Sequence, residues 1–258
     1  MTGELEITFL GTGTSHGIPM IGCSCAVCTS GDPRDKRNRA AAAVRLTDGR
    51  VILIDTPPEL RISAIATGLR RVDAVLFTHG HADHILGMDD LRRFNNLRNG
   101  TIDCYANADT VATLRRVFGY AERPYDNPDR PSVTFSVLDG PAEVCGVTVT
   151  PIPLRHGRRG IFGYRIGDFA YCTDCSAIPE ASWPLLEGLD LLVLGALRIT
   201  PHPAHFTIAQ AVEAIERIRP RRALLTHMAH ESTHADLAAM LPDGVAPAFD
   251  GLCVRVGR

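Results

Sequence analysis

The chain has 258 residues, of which 45% are hydrophobic, and its formal net charge at neutral pH is −2. This length and apolar content can form a large hydrophobic core and fit a single domain over residues 1–258. The near-neutral charge gives no overall field for a polyanion, so extended nucleic acid is not expected as a partner. No apolar run reaches the roughly 18 residues that a membrane-spanning helix needs, and no membrane association is expected.

The start of the sequence is acidic and runs directly into a strand-like segment, Met1–Glu6 and onward. This pattern differs from a secretory signal peptide, which begins with a basic region and an apolar run. The chain contains eight cysteines. Without a leader, these are expected to be thiols or metal ligands rather than disulfides, and the expected location is cytoplasmic.

Short β-branched runs alternate with amphipathic segments along the chain, which predicts strands interleaved with helices. The predicted strands are Leu5–Leu10, Ala42–Leu46, Val51–Ile54, Ala74–Phe77, Val133–Leu138, Val147–Ile152, Phe162–Ile166, Ala170–Thr173, Leu191–Leu194 and Ala223–Thr226. The predicted helices are Leu60–Leu69, Met88–Leu97, Ala108–Phe118, a helix that begins after Thr207, and Ala235–Leu241. The Thr207 helix starts with a capping box and ends before Pro220. Together these elements predict two sheets packed as a sandwich and covered by helices.

The segment Thr78–His84 places three histidines and an aspartate in the order H-x-H-x-D-H, directly after the apolar run Val72–Phe77. Imidazole nitrogens and carboxylate oxygens bind zinc, manganese and iron alike. Ligands so close together on one loop cannot all reach a single ion comfortably, so the spacing indicates two adjacent metal ions. A solvated histidine-rich loop is the alternative, and it is disfavoured because chance rarely produces this pattern at the histidine and aspartate content of the chain.

Three further side chains of the same kind follow predicted strands. They are His156, Asp174 and His227. His227 comes after a threonine and an apolar run, as His79 does. Loops at strand ends are held by the sheet, so ligands from different strands can converge there.

The H-x-H-x-D-H motif with these three residues resembles the metallo-β-lactamase-fold hydrolases over nearly the whole chain. The resemblance implies an α+β fold, a four-layer αββα sandwich. It implies one ion bound by His79, His81 and His156, a second bound by Asp83, His84 and His227, and Asp174 bridging the two. Two adjacent zinc or manganese ions would activate water as hydroxide at neutral pH and would hold anionic substrate oxygens. The sequence thus predicts a hydrolase.

A second cluster lies in the segment Cys23–Cys28, where three thiols have the spacing C-x-C-x-x-C. Structural zinc normally has four ligands, and His230, three residues after His227, is the candidate for the fourth. The hypothesis is a structural zinc bound by Cys23, Cys25, Cys28 and His230, which would connect two distant parts of the chain. A redox-active thiol cluster and ordinary buried thiols are the alternatives.

Together, the catalytic loop, the C-x-C-x-x-C segment and the final T-H-x-x-H resemble the PhnP-like phosphodiesterases, which open a phosphoribosyl cyclic phosphate. This narrower resemblance implies a histidine ahead of the late helix that donates a proton to the leaving oxygen. His205 occupies that position, and His202 is the nearby competitor, interpreted as a surface residue. The resemblance also suggests a homodimer.

The resulting prediction is a phosphodiesterase that acts on a small phosphorylated substrate by metal-activated hydroxide, with Asp174 and His205 as catalytic residues. A thioesterase or lactonase and an RNA-processing nuclease are alternatives on the same site. The nuclease is disfavoured because no basic RNA-binding arm is evident. An iron oxidoreductase would need a redox partner that the sequence does not supply, and a degenerate binding module is disfavoured because every ligand position is filled.

Three other segments are interpreted in relation to the predicted active site. Asp55 follows the strand Val51–Ile54 and is interpreted as structural, orienting a histidine ligand. The basic run Arg34–Arg39 is interpreted either as a site for a substrate phosphate or as a solvated loop. The proline-rich stretch Gly119–Pro131 is predicted to be an irregular insertion at the border of the substrate pocket.

Overall fold

The structure, a computed structural model, describes residues 4–257. Residues 1–3, which begin the acidic N-terminal segment considered above, and residue 258 lie outside the described residues. One sheet contains seven strands: β1 (Leu5–Gly11), β2 (Ala41–Arg45), β3 (Val51–Ile54), β4 (Ala74–Leu76), β5 (Ile102–Ala106), β6 (Val133–Val137) and β14 (Cys253–Val256). Its spatial order is β14-β1-β2-β3-β4-β5-β6, so the last strand of the chain pairs with the first.

The second sheet also contains seven of the described strands. They are β7 (Ala142–Val144), β8 (Val147–His156), β9 (Arg159–Ile166), β10 (Phe169–Cys172), β11 (Leu191–Gly195), β12 (Arg222–Thr226) and β13 (Val245–Pro247). They follow one another in the order β13-β12-β11-β10-β9-β8-β7. The pairs β10–β11 and β11–β12 are parallel, and the strand β9 is antiparallel to both of its neighbours.

Helices cover the outer face of each sheet. They are α1 (Leu60–Thr67), α2 (Ala82–Ile85), α3 (Leu91–Arg98), α4 (Ala108–Phe118), α5 (Ile208–Ile218) and α6 (His234–Met240), with 3-10 turns at Pro33–Asp35, Met88–Asp90, Gly119–Ala121 and Glu180–Leu186. Three apolar layers hold the structure together. Phe94 of α3 and Leu114 of α4 lie in the layer between the first sheet and its helices. Phe9 and Tyr171 lie between the two sheets, and Ile215 of α5 lies between the second sheet and its helices. This is the predicted four-layer αββα sandwich.

Most predicted elements are present, with shifted ends. The capping box at Thr207 is confirmed, because its hydroxyl accepts from the Gln210 N–H and the Gln210 side chain accepts from the Thr207 N–H. The predicted helix Met88–Leu97 is wrong in its first turn, which is a 3-10 turn before α3 begins at Leu91. Within residues 4–257, no helix has the length and apolar character needed to cross a membrane. That one domain spans residues 1–258 stays a prediction.

The strand β8 is longer than predicted, and its length matters for the site. The sequence predicts an end at Ile152, but β8 continues through Pro153 to His156. β7 pairs with β8 only as far as Val149. The two prolines, which have no backbone N–H to donate, therefore lie beyond the part of β8 that pairs with β7. The strand therefore carries His156 to the end of the sheet, opposite Arg159 of β9.

Candidate active site and metal centres

The predicted ligands all lie at the ends of strands or in the loops that follow them. His79 and His81 follow β4, and Asp83 and His84 lie on the one-turn helix α2. The other ligands come from the second sheet, where β8 ends at His156, Asp174 follows β10 and His227 follows β12. Both sheets therefore contribute side chains to one cluster, as the sequence predicts.

Three site residues share an unusual backbone conformation. Asp55, Asp174 and His227 have φ angles of 63°, 57° and 59°, in the left-handed region that residues with a side chain rarely adopt. Each follows directly or closely on a strand, where the chain turns sharply out of the sheet. A non-glycine residue held there costs of order 1–3 kcal/mol, and such residues concentrate at functional sites.

The first predicted ligand group is close enough to share one ion. The His79 Nε2 atom lies 2.9 Å from the His81 Nδ1 atom. One ligand atom from each of His79, His81 and His156 lies within 4.8 Å of the others. The three imidazoles thus face a common point.

The second group, Asp83, His84 and His227, meets the same criterion of 4.8 Å. Asp174 lies between its members and the first group. Its Oδ2 atom is 3.2 Å from the His84 Nε2 atom, and its Oδ1 atom is 3.1 Å from the His227 Nε2 atom. Asp174 also forms a ligand group with His79 and His84, which fits the predicted bridging position.

Hydrogen bonds from the far side of the rings orient the histidines. The His84 Nδ1 atom donates to the Asp55 carboxylate at 2.7 Å, the contact that the sequence predicts for Asp55. His79 Nδ1 lies 3.1 Å from the Thr78 hydroxyl, which itself donates to Asp55. His156 Nδ1 donates to the Ala204 carbonyl oxygen at 2.8 Å. Each of these bonds leaves the Nε2 lone pair of its ring free for a metal ion.

The donor set fits two divalent cations. The Nε2 atoms of His84 and His227 are buried, and although Asp174 oxygens lie 3.2 and 3.1 Å away, neither atom makes a hydrogen bond of good geometry within the described structure. Unpaired buried polar atoms are rare because each costs about 1–3 kcal/mol, so the site is built for a partner that the polypeptide does not supply. Nitrogen and carboxylate ligands of this kind suit zinc or manganese.

The side chains of this cluster carry opposed charges. Burial alone would raise the pKa of Asp174, but His227 and His84 outweigh it and hold that pKa below its usual range. Burial alone would lower the pKa of His84, but the Asp174 and Asp55 carboxylates outweigh it and raise that pKa. For His79, burial prevails and lowers the pKa. Asp174 is therefore an anion at the centre of the cluster.

His205, the predicted proton donor, lies at the rim of the same cluster. Its Nδ1 atom is 3.7 Å from the Asp174 Oδ1 atom, and its ring stacks on that of His227 with centroids 4.9 Å apart. Burial and the neighbouring His227 lower the pKa of His205 to about 3, and the Asp174 carboxylate opposes this shift. His205 also lies close enough to His156 and Asp174 to form a ligand group with them. His202 packs against His205 with ring centroids 4.9 Å apart, so it is a neighbour of the site rather than an isolated surface residue.

The three thiols of the segment Cys23–Cys28 meet His230 as predicted. The His230 Nδ1 atom lies 3.2 Å from the Cys25 sulfur and 3.5 Å from the Cys23 sulfur, and all four ligand atoms lie within 4.8 Å of one another. Ligands on a tetrahedral zinc, with bonds of about 2.0–2.3 Å, are separated by roughly 3.5 Å. The spacing therefore fits a zinc ion.

The chemistry of these thiols also suits a metal. A backbone N–H from Cys28 and the His230 ring lower the pKa of Cys25 to about 6, which favours the thiolate that binds zinc. Ordinary buried thiols do not fit this cluster, because Cys23 and Cys25 are only partly buried. No disulfide joins any of the eight cysteines, all of which lie within residues 4–257. Structural zinc and a redox cluster remain the two hypotheses.

Comparison with known proteins places this geometry in a family. The profile of the β-lactamase superfamily domain matches residues 50–228. The crystal structure of a diphosphatase from the PhnP family superimposes with a TM-score of 0.90, at 41% sequence identity and with 97% of both chains covered. The chain belongs to the PhnP family of the β-lactamase superfamily. It is a metallo-β-lactamase-fold hydrolase.

Two other proteins are similar to this chain. An octanoyltransferase of Porphyromonas gingivalis is 36% identical over 252 residues, which cover 96% of this chain and 51% of that protein. The PhnP-family chain thus spans about half the length of that curated relative. Zinc-bound PqqB of Methylobacterium extorquens has a TM-score of 0.77 at 19% identity, with coverage of 96% and 99%, and so shares the fold.

Within the basic run of this PhnP-family chain, Arg37 is not available to a substrate phosphate. Arg37 is fully buried, and its guanidinium donates to the carbonyl oxygens of Ala229 and Ser232 and to the Asp35 carboxylate. The interpretation of Arg34–Arg39 as a solvated loop is therefore wrong for Arg37, which also cannot reach a substrate. Arg37 connects this loop to the segment that carries His230.

The insertion Gly119–Pro131 is irregular, as predicted, but its contacts are with the helical layer. The Tyr120 hydroxyl donates to Asp89, and the Tyr125 hydroxyl donates to Asn96 of α3. Ala121 is buried in the core beneath the helices of the first sheet. These contacts place the insertion over α3 and α4, and its position at the border of the substrate pocket stays a prediction.

Two residues near the ligands were absent from the sequence prediction. Thr78 joins His79 to Asp55, and the repeated threonine before His79 and His227 was the signal that could have indicated it. Arg159 contacts His81. The signal for Arg159 is the short spacing from His156, because a tight hairpin between these two residues places Arg159 beside the ligands.

Changing Asp55 to asparagine is expected to weaken metal binding at the dinuclear site about 10- to 100-fold. The amide keeps the shape but removes the negative charge that supports His84. Competition with a chromogenic chelator measures the affinity. Asp73→Asn is the control, because that carboxylate binds Arg71 and the Val51 N–H away from the ligands. Equal affinities in both variants would show that Asp55 has no such role.

Replacing Cys23, Cys25 and Cys28 together by serine is expected to reduce the metal content from about three ions per chain to two, and to lower the melting temperature. The reason is that the cluster joins an N-terminal loop to the segment after β12. Elemental analysis and thermal denaturation measure the two effects, with the exposed Cys253→Ser as control. Finding only two ions in the unmodified protein would contradict the zinc hypothesis.

Proposed function

We propose that the chain is a dinuclear metal-dependent phosphodiesterase that opens a small cyclic phosphate or cleaves a small phosphodiester. The observation that carries this proposal is the position of His205, which lies beside Asp174 and against the rings of His156 and His227. A thioester or lactone has a leaving group that departs without much protonation. An alkoxide leaving from phosphorus needs a proton, so a donor at this place favours a phosphodiester.

Each part of the cluster has a role in this reaction. When bound, two divalent cations supply an activated water and neutralise anionic phosphate oxygens. His79, His81 and His156 would hold one of them, and Asp83, His84 and His227 the other, with Asp174 shared. As the imidazolium, which the Asp174 carboxylate beside it favours, His205 would hydrogen-bond to the leaving oxygen and transfer its proton there as negative charge develops, becoming the neutral imidazole.

The comparison with the PhnP-family diphosphatase supports cleavage of a bond between phosphorus and oxygen. That protein is 41% identical to this chain, and both chains are covered almost completely. Under this proposal the substrate is a small phosphorylated molecule, which agrees with the near-neutral net charge of −2.

A second candidate is a hydrolase of acyl thioesters on the same ions. One observation favours it: the octanoyltransferase that is 36% identical over most of this chain handles an acyl group. Only half of that protein is matched, so the acyl chemistry can reside in its other half. The two candidates differ in the bond that breaks, and one set of assays separates them.

The test is a panel of substrates given to protein loaded with zinc or manganese. It contains a small cyclic phosphate, an acyclic phosphodiester, a diphosphate ester, an octanoyl thioester and a lactone. Preference for the cyclic phosphate or the phosphodiester is the expected result. Turnover of the thioester or lactone with inert phosphodiesters would overturn the proposal in favour of the second candidate. The mass of the protein in solution tests the predicted dimer.

A further inference from the structure

A groove of about 630 Å³ lies between α1 and α3, in the helical layer that covers the first sheet. α1 packs against the 3-10 turn that leads into α3, and Asp90 of that turn lines the groove. None of the residues that line the groove is a predicted metal ligand or contacts one. The groove is therefore a feature separate from the dinuclear site.

One face of each helix forms a wall of this groove. The main lining side chains are Arg61, Ala64 and Ile65 of α1 and Arg93, Phe94 and Leu97 of α3. Within each set the residues are one, three or four positions apart, which is the spacing of a single helix face. Helices in a finished layer usually bury such apolar positions against each other. Here the two faces leave a concave space between them.

The floor of the groove is apolar, and so are parts of its walls. Ala64 and Phe94 are buried at its base. Ile65 on one wall and Leu97 on the other are 67% and 52% exposed. Large apolar side chains that face each other across a concave surface are typical of a docking site, because a partner that fills the groove removes both from water.

The charges around the groove are mostly positive. Arg61, Arg70 and Arg93 line it and are exposed, and among residues 4–257 none of the three forms an ion pair. Arg92 pairs with Asp89 at 3.0 Å. Asp90 is the one carboxylate among the described residues that line the groove. The lining thus has an excess of unpaired guanidinium groups.

These charges and the concave shape select the kind of partner. A second copy of this chain would bring the same arginines to the interface, and like charges that meet there oppose binding. A flat membrane surface would not reach the buried ring of Phe94 at the base. A nucleic acid would pair with the arginines but would leave the apolar floor unused. A convex element with an apolar stripe and carboxylates beside it matches both properties.

We propose that this groove docks an acidic amphipathic helix of another protein. Apolar side chains at i, i+3, i+4 and i+7 of that helix would lie between Ile65 and Leu97, as in other complexes of a helix in a groove. Glutamates or aspartates on both sides of the stripe would pair with Arg61, Arg70 and Arg93. This is a protein-binding activity in addition to hydrolysis, and it does not depend on the proposed reaction.

A designed peptide tests the proposal. The probe is a fluorescently labelled helix of about four turns, with leucines at i, i+3, i+4 and i+7 and glutamates at the flanking positions. Fluorescence anisotropy should detect its binding to the wild type, with an affinity that falls as salt is raised. A control peptide has the same composition, but its leucines are spread around the helix. It should bind at least about tenfold more weakly, because it has no apolar stripe.

Two variants of the apolar walls locate the binding site. Ile65→Ser and Leu97→Ser should each weaken binding of the probe at least about tenfold, as expected for central apolar contacts. Ile62→Ser is the matched control, because Ile62 lies on the same helix and is 59% exposed but does not line the groove. Its effect should be less than about twofold. All three residues are exposed, so the fold should persist.

A charge reversal tests the role of the arginines. Arg93→Glu should weaken binding of the acidic probe at least about tenfold and should regain affinity for a probe with lysines in place of the glutamates. Structural damage would not produce this exchange of preference. Arg116→Glu of α4 is the control, because Arg116 is exposed and lies outside the groove. It should bind the acidic probe as the wild type does.

Several results would overturn the proposal. They are no binding by the wild type, equal binding of the two peptides, and equal effects of Ile65→Ser and Ile62→Ser. Binding of phosphatidylglycerol vesicles instead of the probe would identify a membrane-binding face, and self-association lost in Leu97→Ser would identify a contact between copies of the chain. Binding of the probe requires no turnover, so a failure of the proposed reaction would leave the result of this test unchanged.

Discussion

Asp174→Asn is expected to lower phosphodiesterase activity by about 10³-fold or more and to reduce the metal content of the dinuclear site. The carboxylate is 2% exposed and lies within 3.2 Å of the Nε2 atoms of both His84 and His227. The asparagine amide has almost the same shape, so the fold should persist. It has no negative charge to share between two cations, and its NH₂ group cannot bind a metal ion.

Steady-state kinetics and elemental analysis of the same preparations measure this effect. Asp168→Asn is the matched control. Asp168 is an exposed aspartate in the turn between β9 and β10, at the opposite end of β10 from Asp174. It should retain full activity and metal content. An Asp174→Asn protein with two bound ions and activity within tenfold of the wild type would refute the bridging role.

His205→Ala is expected to lower kcat by about 10²- to 10⁴-fold for a phosphodiester with an alkoxide leaving group. For an ester of 4-nitrophenol the expected loss is less than about tenfold, because that leaving group is stable as an anion and needs little protonation. The metal content should stay unchanged. The ratio of the two losses isolates proton donation from general damage to the site.

His202→Ala provides the comparison for this variant. His202 packs against the His205 ring but lies farther out, and it contacts the Ala204 N–H rather than Asp174. Its replacement should cost little with either substrate. An equal decrease in kcat for the two esters in His205→Ala would show that His205 is not the proton donor. Loss of an ion would make His205 a ligand, which its position near His156 and Asp174 allows.

The ligands could be predicted from the sequence because their residue types are rare and their positions follow strands. Histidines in the order H-x-H-x-D-H are seldom structural, and parallel or neighbouring strands bring their ends to one edge of a sheet. The sequence also indicated the contact between Asp55 and a histidine ligand, which the structure shows with His84. That these residues bind metal stays a prediction.

Several short strands could not be predicted from their own sequence. The strand β5, Ile102–Ala106, contains an aspartate and an alanine and gains its strand conformation from β4 and β6 on either side. Tertiary pairing of this kind overrides the weak preference of a short segment. β7, β13 and β14 have three or four residues each and were missed for the same reason.

The burial of Arg37 shows a similar limit. A run of charged residues normally predicts a solvated loop, because an isolated buried charge is costly. Arg37 avoids that cost through carbonyl oxygens of Ala229 and Ser232, nearly two hundred positions away in the sequence. Neither partner has a side-chain signature, since backbone oxygens are present at every residue. Such an arrangement can be seen only in three dimensions.

The pairing of β14 with β1 has a consequence for biosynthesis. The register joins Leu5 to Val256 and Ile7 to Val254, so β1 leaves the ribosome long before its partner strand β14 is made. During translation the outer edge of β1 stays open, and open strand edges invite pairing with other chains. We expect nascent chains stalled before residue 253 to be more prone to self-association than chains that contain β14.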